Sequence, residues 1–295
     1  RRTTFGGEAF FFKSDFFDCV TTGPRMIFAG GVLFGQSIPE EHHITFQNLE
    51  VHHLMAVAFG GYLEDFQFLN NYIHDLSEYG WYTAGKRVLL RGNVVRDVIY
   101  AAHMRGGADI KGGGTHDSVV ENNLIYNSTP GPRYWFFYPP LVYECKNATL
   151  ADGGHGILLI GANNIIRNNV VFNMPGNGIW TLWNAKVYNN TVYNNRFYGI
   201  STDTTGTVPP SIIKNNISYG NWEAAFGDPN TGPGFSPQDI SSNNLTTDPQ
   251  FVNTSANDFH LQSASPAINA GANLSAEGVI QDLDGVSRPQ PPGGA

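Results

Sequence analysis

The chain has 295 residues, 17 of them basic and 25 acidic, for a net charge of −8. A balance this acidic argues against binding a nucleic-acid backbone, and no apolar run of about eighteen residues exists to cross a membrane as a helix. With 34 glycines, 13% aromatics and only 14% charged residues, the chain is built to turn often, and its length suffices for one continuous core without a second domain.

Residues 1 to 40 contain Phe10-Phe11-Phe12 and Phe16-Phe17 but lack the repeat that fills the next two hundred residues. They are expected to cap that repeat, because a terminal coil otherwise offers unpaired strand edges and apolar core to water. The rival expectation is self-association through such an end. From about residue 41 to 250 an asparagine recurs in one local setting, at Asn48, Asn71, Asn93, Asn123, Asn169, Asn190, Asn216 and Asn244, with spacings of 23, 22, 30, 46, 21, 26 and 28. A unit of this size means a solenoid. Short β-branched runs stand on either side of the asparagine (Val88-Leu89-Leu90 and Val94-Val95, Ser118-Val119-Val120 and Leu124-Ile125), and a third strand follows a glycine. Asparagine tolerates the left-handed backbone of a sharp bend and can bond through its amide to the same residue in the next coil, so stacked coils predict an interior asparagine ladder.

This pattern resembles the right-handed parallel β-helix proteins of the pectate-lyase-like superfamily. The resemblance covers roughly residues 42 to 250 and implies an all-β chain of three-strand coils. The stretch DPQFVNTSANDFHLQSASPAINAG, followed by DLDGVSRPQ, is similar to the tail of secreted or surface-attached bacterial members. It implies a secreted or cell-surface protein whose tail usually runs beyond Pro291-Pro292-Gly293-Gly294-Ala295. Residues 251 to 295 are therefore expected to form a C-terminal closing segment along the helix surface. Of seven N-x-S/T sequons, several fall in the ladder motif and are read as structural asparagines rather than glycan sites. Cys19 and Cys145 are the only cysteines; either a disulfide between the N-terminal segment and an insertion or two buried thiols fits.

In the third strand, alternation points Trp81, Ala108, Ile110, Ile157, Leu159, Ile179 and Ile200 inward, leaving Tyr82, Asp109, Lys111, Leu158, Ile160, Trp180, Leu182, Ser201 and Asp203 outward. The extra length between Asn123 and Asn169 becomes an insertion at about 128–155 that carries Arg133, Tyr134 and Trp135. It is expected to act as a lid or a sugar platform beside this sheet. Residues 86 to 133 hold seven basic against four acidic side chains in an acidic protein, which suits either attraction of a polyanion or a salt-bridged surface.

The fold hosts many activities, so function has to come from the site. The segment His103 to Asp117 is the strongest chemical candidate. Its Asp-Ile-Lys-Gly-Gly core is similar to a glycine-flanked lysine strand in β-helix proteins, and the resemblance to polysaccharide lyases implies use of Lys and Arg. Uronate β-elimination needs a base for the C5 proton and a positive charge or metal on the carboxylate. Lys111 is the candidate base, Arg105 or Arg133 the carboxylate partner, and His103, His116 or His155 an alternative acid or base. Asp109, Arg133, Tyr134, Trp135, Tyr82, Trp180 and His155 are the candidate substrate contacts. Calcium would suit a lyase, yet Glu144, Asp152 and Asp203 show no ligand spacing, so no metal residue is assigned. An extracellular enzyme acting on an acidic polysaccharide, by elimination or by epimerisation, is the leading expectation. A non-catalytic adhesin, carbohydrate-binding or filament-forming β-helix is the main alternative. A glycoside hydrolase ranks lower, because Asp109 and Asp203 stand three coils apart, roughly 14 Å at ordinary strand spacing.

Overall fold

The computed structural model describes backbone and side chains for residues 43–52, 63–76, 79–98, 108–128, 154–203, 209–227, 232–234 and 238–288. It describes backbone alone for 3–6, 19–21, 32–33, 57–62, 77, 99–100, 129–130, 134–137, 141–145 and 228. Three parallel sheets stack along one axis, and each turn of the chain contributes one strand to each. The pre-asparagine sheet contains Thr45–Gln47, Gln67–Leu69, Leu89–Arg91, Val119–Glu121, Ile165–Arg167, Lys186–Tyr188, Ile212–Lys214 and Ile240–Ser242. The post-asparagine sheet includes Leu49–His52, Tyr72–Ser77, Val94–Tyr100, Leu124–Tyr126, Val170–Phe172, Thr191–Tyr193 and Ile217–Tyr219. The third sheet includes Val57–Glu64, Tyr79–Lys86, Ala108–His116, His155–Ile160, Ile179–Leu182, Tyr198–Asp203 and Ala224–Asp228. This is a parallel β-helix, as the repeat predicts. Among the described residues no helix is long and apolar enough to cross a membrane.

The interior is a set of like-on-like stacks. Phe68, Leu90, Val120, Ile166, Val187 and Ile213 align on one side, and Trp81, Ile110, Ile157, Ile179 and Ile200 on another; all are 3% exposed or less. Each such apolar side chain withdrawn from water contributes on the order of 1.5–3 kcal/mol before chain entropy is counted, and β-branched residues fit the stack because their χ1 is already restricted.

The ladder runs from Asn71 through Asn93, Asn123, Asn169, Asn190 and Asn216 to Asn244, with each amide nitrogen donating to the next amide oxygen at 2.9–3.0 Å. Asn93 is typical. Its Nδ2 donates to Phe68 O and Asn123 Oδ1, while its Oδ1 accepts from the backbone and side-chain nitrogens of Asn71. That exhausts the capacity of an asparagine amide, which is why the residue can be wholly buried. The step from Asn123 to Asn169 is no longer than the others, so the intervening insertion leaves the ladder intact.

Two details differ from the sequence expectation. The left-handed backbone belongs to the residue before each ladder asparagine: Asn70, Gly92, Asn122, Asn168, Asn189, Asn215 and Asn243 all have φ between 51° and 68°. The Asn-Asn pair thus divides two tasks between bend and ladder. Asn48 is one of the bend residues (φ 56°) and not a rung; the register puts Leu49 at the rung, where its N–H donates to Asn71 Oδ1. The sequons Asn216 and Asn244 are rungs, and Asn127 and Asn189 accept from Asn173 and Asn215.

Phe10 to Phe12, Phe16 and Phe17 lie outside the described residues. Thr3–Gly6 pairs with Leu49–His52 and Val32–Leu33 with Phe59-Gly60, adding a strand to two of the sheets ahead of the first asparagine repeat. Within the insertion, Tyr134–Phe137 and Leu141–Cys145 form an antiparallel hairpin, and Cys145 stands opposite Cys19 in the strand Cys19–Thr21. At the other end Leu274 and Val279 pack against Tyr188, whose phenol burial pushes up to about 12, and Lys186 pairs with Glu277 at 2.7 Å.

Candidate functional site

Ala108–His116 is the longest strand of the third sheet because Gly112-Gly113-Gly114 admits one extra residue against its neighbour; Gly112 aligns with Thr83, but Thr115 with Gly85. Gly114 carries the bulge at φ +90°, a backbone that residues with side chains rarely adopt. Ile110 points inward and is fully buried, so Lys111 faces out. Its Nζ lies 5.1 Å from the ring centres of both Tyr79 and Tyr82, which stack on each other at 5.1 Å. Tyr82 can lie this way because Gly113 has no side chain; a Cβ there would come within 3.3 Å of the Tyr82 ring. The register sets Tyr82, Lys111, Leu158, Trp180 and Ser201 in one outward row across five coils. Lys111, Tyr82 and Trp180 therefore share the face that alternation predicts.

Asp109 is the principal correction. It is fully buried, with its carboxylate oxygens 2.9 and 2.8 Å from Ser128 Oγ, which in turn accepts from Val98 N. The register equates Asp109 with Gly80, Gly156, Gly178 and Gly199. At those glycines a Cβ would strike Val95, Val171, Val192 and Ser218 within 2.0–2.6 Å. The position turns into the corner of the helix before alternation begins, so Asp109 is an interior hydrogen-bonding group and not a substrate contact on the outer face. Leu158 and Ser201 face outward by register yet are 1% and 0% exposed; the expected open row is covered along part of its length.

His116 is also displaced from the site. It lies five residues beyond Lys111, roughly 15 Å along the strand, and its Nδ1 accepts from Ala162 N at 2.9 Å, joining successive coils. His155 begins the next strand, opposite Ala108. It is 3% exposed, its Nδ1 accepts from Asn177 N, and its ring meets Trp180 edge-on at 5.0 Å. His103, Arg105 and Arg133 lie outside the described residues; Tyr134 and Trp135 are placed by backbone only, in the insertion hairpin.

Four of the seven basic residues between 86 and 133 form ion pairs, while Arg105 and Arg133 lie outside the described residues. Lys86 and Arg87 meet Glu64, Arg87 also meets Asp65, Arg91 meets Glu121 at 2.5 Å, and Arg96 meets Asp97. Lys86 and then Arg87 hold the Glu64 carboxyl below its ordinary value. Sequence reasoning assigned no functional residue to the post-asparagine sheet and missed a cluster there. His74 is bonded to Asp75 (2.6 Å) and Glu50 (3.2 Å) and stacked between His52 and Tyr72, while Arg96 Nε donates to the Tyr72 hydroxyl at 2.6 Å. The signal was the alternation in Tyr72-Ile73-His74, aligned with His52 and Arg96 once register is known. This cluster belongs to a different sheet from Lys111. Among the described residues no group of three His, Cys, Asp or Glu side chains is placed to hold a metal ion.

Residues 142–274 match the family model for right-handed β-helix regions, in agreement with the parallel β-helix that the sheet order shows. No curated protein matches the chain in sequence. Among solved structures, pectate lyase Pel9A superposes with a TM-score of 0.48 at 16% identity, covering 82% of this chain and 72% of that one. A point mutant of the periplasmic alginate epimerase AlgG gives 0.45 at 14% identity, covering 69% and 51%. The A-module of the Azotobacter vinelandii mannuronan C-5 epimerase AlgE4 gives 0.37 at 12% identity, covering 69% and 61%. The chain thus spans about half the length of the AlgG structure, and at these values the similarity extends no further than the coil.

Proposed function

We propose that the protein is an exported, carbohydrate-active β-helix that binds an acidic polysaccharide across the outer face of the third sheet and removes the C5 proton of a uronate unit with Lys111. The observation that carries this reading is the placement of the Lys111 ammonium against two tyrosine rings beside a glycine bulge, on an outward row shared with Trp180. Aromatic faces stack on sugar rings, and a lysine there can attract a carboxylate or, as the neutral amine, accept a proton.

In the elimination, Lys111 Nζ takes the C5 proton, the C–H electron pair forms the C4–C5 double bond, and the C4–O bond breaks with its pair going to the departing oxygen, which is protonated. In epimerisation the same proton leaves, and one returns to the opposite face of C5. Both need a positive group on the uronate carboxylate, a role for which Arg105 and Arg133 are the candidates. A lysine base works only as the amine, and the ring faces of Tyr79 and Tyr82 lie against its side-chain nitrogen.

A glycosidase pair is not supported, since Asp109 lies inside the helix and Asp203 outside. The test is incubation with a panel of uronate polysaccharides, reading the ultraviolet absorbance of unsaturated ends and, for epimerisation, deuterium uptake at C5 from heavy water. Lys111→Ala should lower either signal by about 10²–10⁴-fold. No signal from any substrate, or an equal signal from the variant, would overturn the reaction and favour a binding or structural β-helix.

A further inference from the structure

Side chains are described for ten of the seventeen basic residues. Seven of the ten, from Lys86 to Arg288, are ion-paired, and Lys111 lies over its two tyrosine rings. Of the other two, Lys214 is half-buried on the pre-asparagine sheet, and Arg196 is exposed at the corner that leads into the third sheet. The Arg196 guanidinium meets no carboxylate, carbonyl or ring among the described residues. Trp222 stands beside it, one coil on. Tyr198 pairs with Ala224, and Asn195 N and Nδ2 both donate to Asn221 Oδ1, so counting from either side aligns Arg196 with Trp222. Trp222 N donates to Asn195 O at 2.9 Å, which holds the two backbones at strand spacing, roughly 4.8 Å. At 79%, Trp222 is the most exposed large apolar side chain among those described.

A single exposed apolar residue or a single solvated arginine needs no explanation. Here the two come together on a corner that is tied from inside. Asn195 Nδ2 donates to Asn221 Oδ1, Asn221 Nδ2 to Ser218 Oγ, and Ser218 Oγ to Ala225 O. A tryptophan held on such a backbone offers a large, flat, apolar face with little side-chain freedom to lose, and arginine offers a planar fork of donors that matches a carboxylate. A sugar ring can stack on the first while its carboxylate meets the second; a neutral sugar gains only the stacking. Glu223 is the neighbouring carboxylate, but it is exposed and forms no ion pair with Arg196, so the fork stays open. The corner also adjoins the face of Lys111. Tyr198, two residues after Arg196, lays its ring against Gly227, where a Cβ would come within 2.3 Å, and Gly227 aligns with Ser201 on the outward row.

We propose that Trp222 and Arg196 form a sugar-binding subsite at the edge of the third sheet, where Trp222 stacks on an acidic sugar unit and Arg196 binds its carboxylate. Arg196 belongs to the coil of Ser201, three coils from Lys111, or roughly 14 Å along the axis, so the unit held here is not the one that reacts. A glycan that reaches both places runs along the helix axis toward the C-terminal coils. The proposal deepens the reading of this face as a glycan-binding surface and rests on it.

The test is calorimetric binding of oligouronates in a Lys111→Ala background, where turnover cannot consume the ligand, with neutral oligosaccharides of equal length as controls. Arg196→Gln should bind oligouronates about ten-fold more weakly, as loss of a hydrogen bond to a charged group predicts, and its affinity should depend less on salt than the parent's. Trp222→Ala should weaken oligouronate binding by a similar factor while keeping the salt dependence. Both side chains are exposed, so each variant should melt with the parent. Undiminished affinity in either variant, a salt dependence that Arg196→Gln leaves unchanged, an equal loss by Arg196→Gln toward the neutral control, an affinity loss that tracks a lower melting temperature, or no oligouronate binding by the parent would each overturn the subsite. Lys111-dependent product together with parental binding by both variants would overturn the subsite and uphold the reaction. Absence of product from the wild-type chain, with the expected binding pattern intact, would overturn the reaction and uphold the subsite.

Discussion

The outer faces of the pre-asparagine and third sheets are built from the same coils but solve opposite problems. On the pre-asparagine sheet Glu121 is nearly buried and holds Arg91 and Arg167 at 2.5 and 2.6 Å, and Arg167 Nη1 donates onward to Glu277 O. The C-terminal segment lies on this face with Leu274, Val279 and Glu277. On the third sheet, a lysine rests on tyrosine rings, and Trp180 Nε1 and Ser201 Oγ are buried without a hydrogen-bond partner. A face whose polar groups satisfy one another maximises stability, and one that leaves groups unsatisfied gives some of it up.

The largest effect should separate the two faces by activity. Lys111→Ala is expected to lower turnover by about 10²–10⁴-fold while leaving the urea midpoint within experimental spread, because its outward side chain touches no core stack. Glu121→Ala should do the reverse. Leaving Arg91 and Arg167 without their carboxylate is expected to cost about 2–4 kcal/mol in urea unfolding, with turnover at saturating substrate unchanged; a loss of activity in the folded variant would merge the two faces.

A smaller change should come from Gly113→Ala, whose Cβ lies 3.3 Å from the Tyr82 ring. Displacing that ring from Lys111 should lower turnover several-fold, with destabilisation below about 1 kcal/mol, and unchanged turnover would remove Tyr82 from the site.

The smallest effect concerns the C-terminal hairpin of Phe251–Asn253 and Asp258–Leu261. Asp258 and then Asp284 raise the pKa of His260, and His260 lowers that of Asp258. The histidine's contribution is full below its unfolded value near pH 6.5 and fades as pH rises through the raised folded value; the aspartate's is present above its ordinary value of about 3.8 and is lost as pH falls through the lowered one. The hairpin should therefore be best protected in mildly acidic solution. Hydrogen exchange across residues 251–261 should quicken as pH rises past neutrality beyond the intrinsic rate increase, and His260→Gln should abolish that excess.

Much of the coil could be read in advance because its rules are local. A ladder asparagine is recognisable from the strand formers on each side, and Lys111 faces outward because Ile110 beside it must face inward. Asn48 was misplaced by one residue because bend and rung are both asparagine, and only pairing with Asn71 tells them apart. Asp109 was misread because its segment was aligned on Gly107, whereas the backbone aligns Asp109 itself with the glycines of neighbouring coils. The basic segment looked like a patch in one dimension, but Arg87, Arg91 and Arg96 find their carboxylates on different parts of the surface.

By itself the sequence determined that this chain is a stacked parallel coil and which sheet carries Lys111, since periodicity and alternation are properties of a single strand and its turn. Tertiary structure alone decided that Asp109 is interior, that Glu121 bridges two arginines, and that Trp180 and Ser201 bury donors without partners. Hydrogen-bond satisfaction depends on which atoms of other coils arrive within about 3 Å, and separations of 19, 30 and 46 residues along the chain leave no local trace of that arrival.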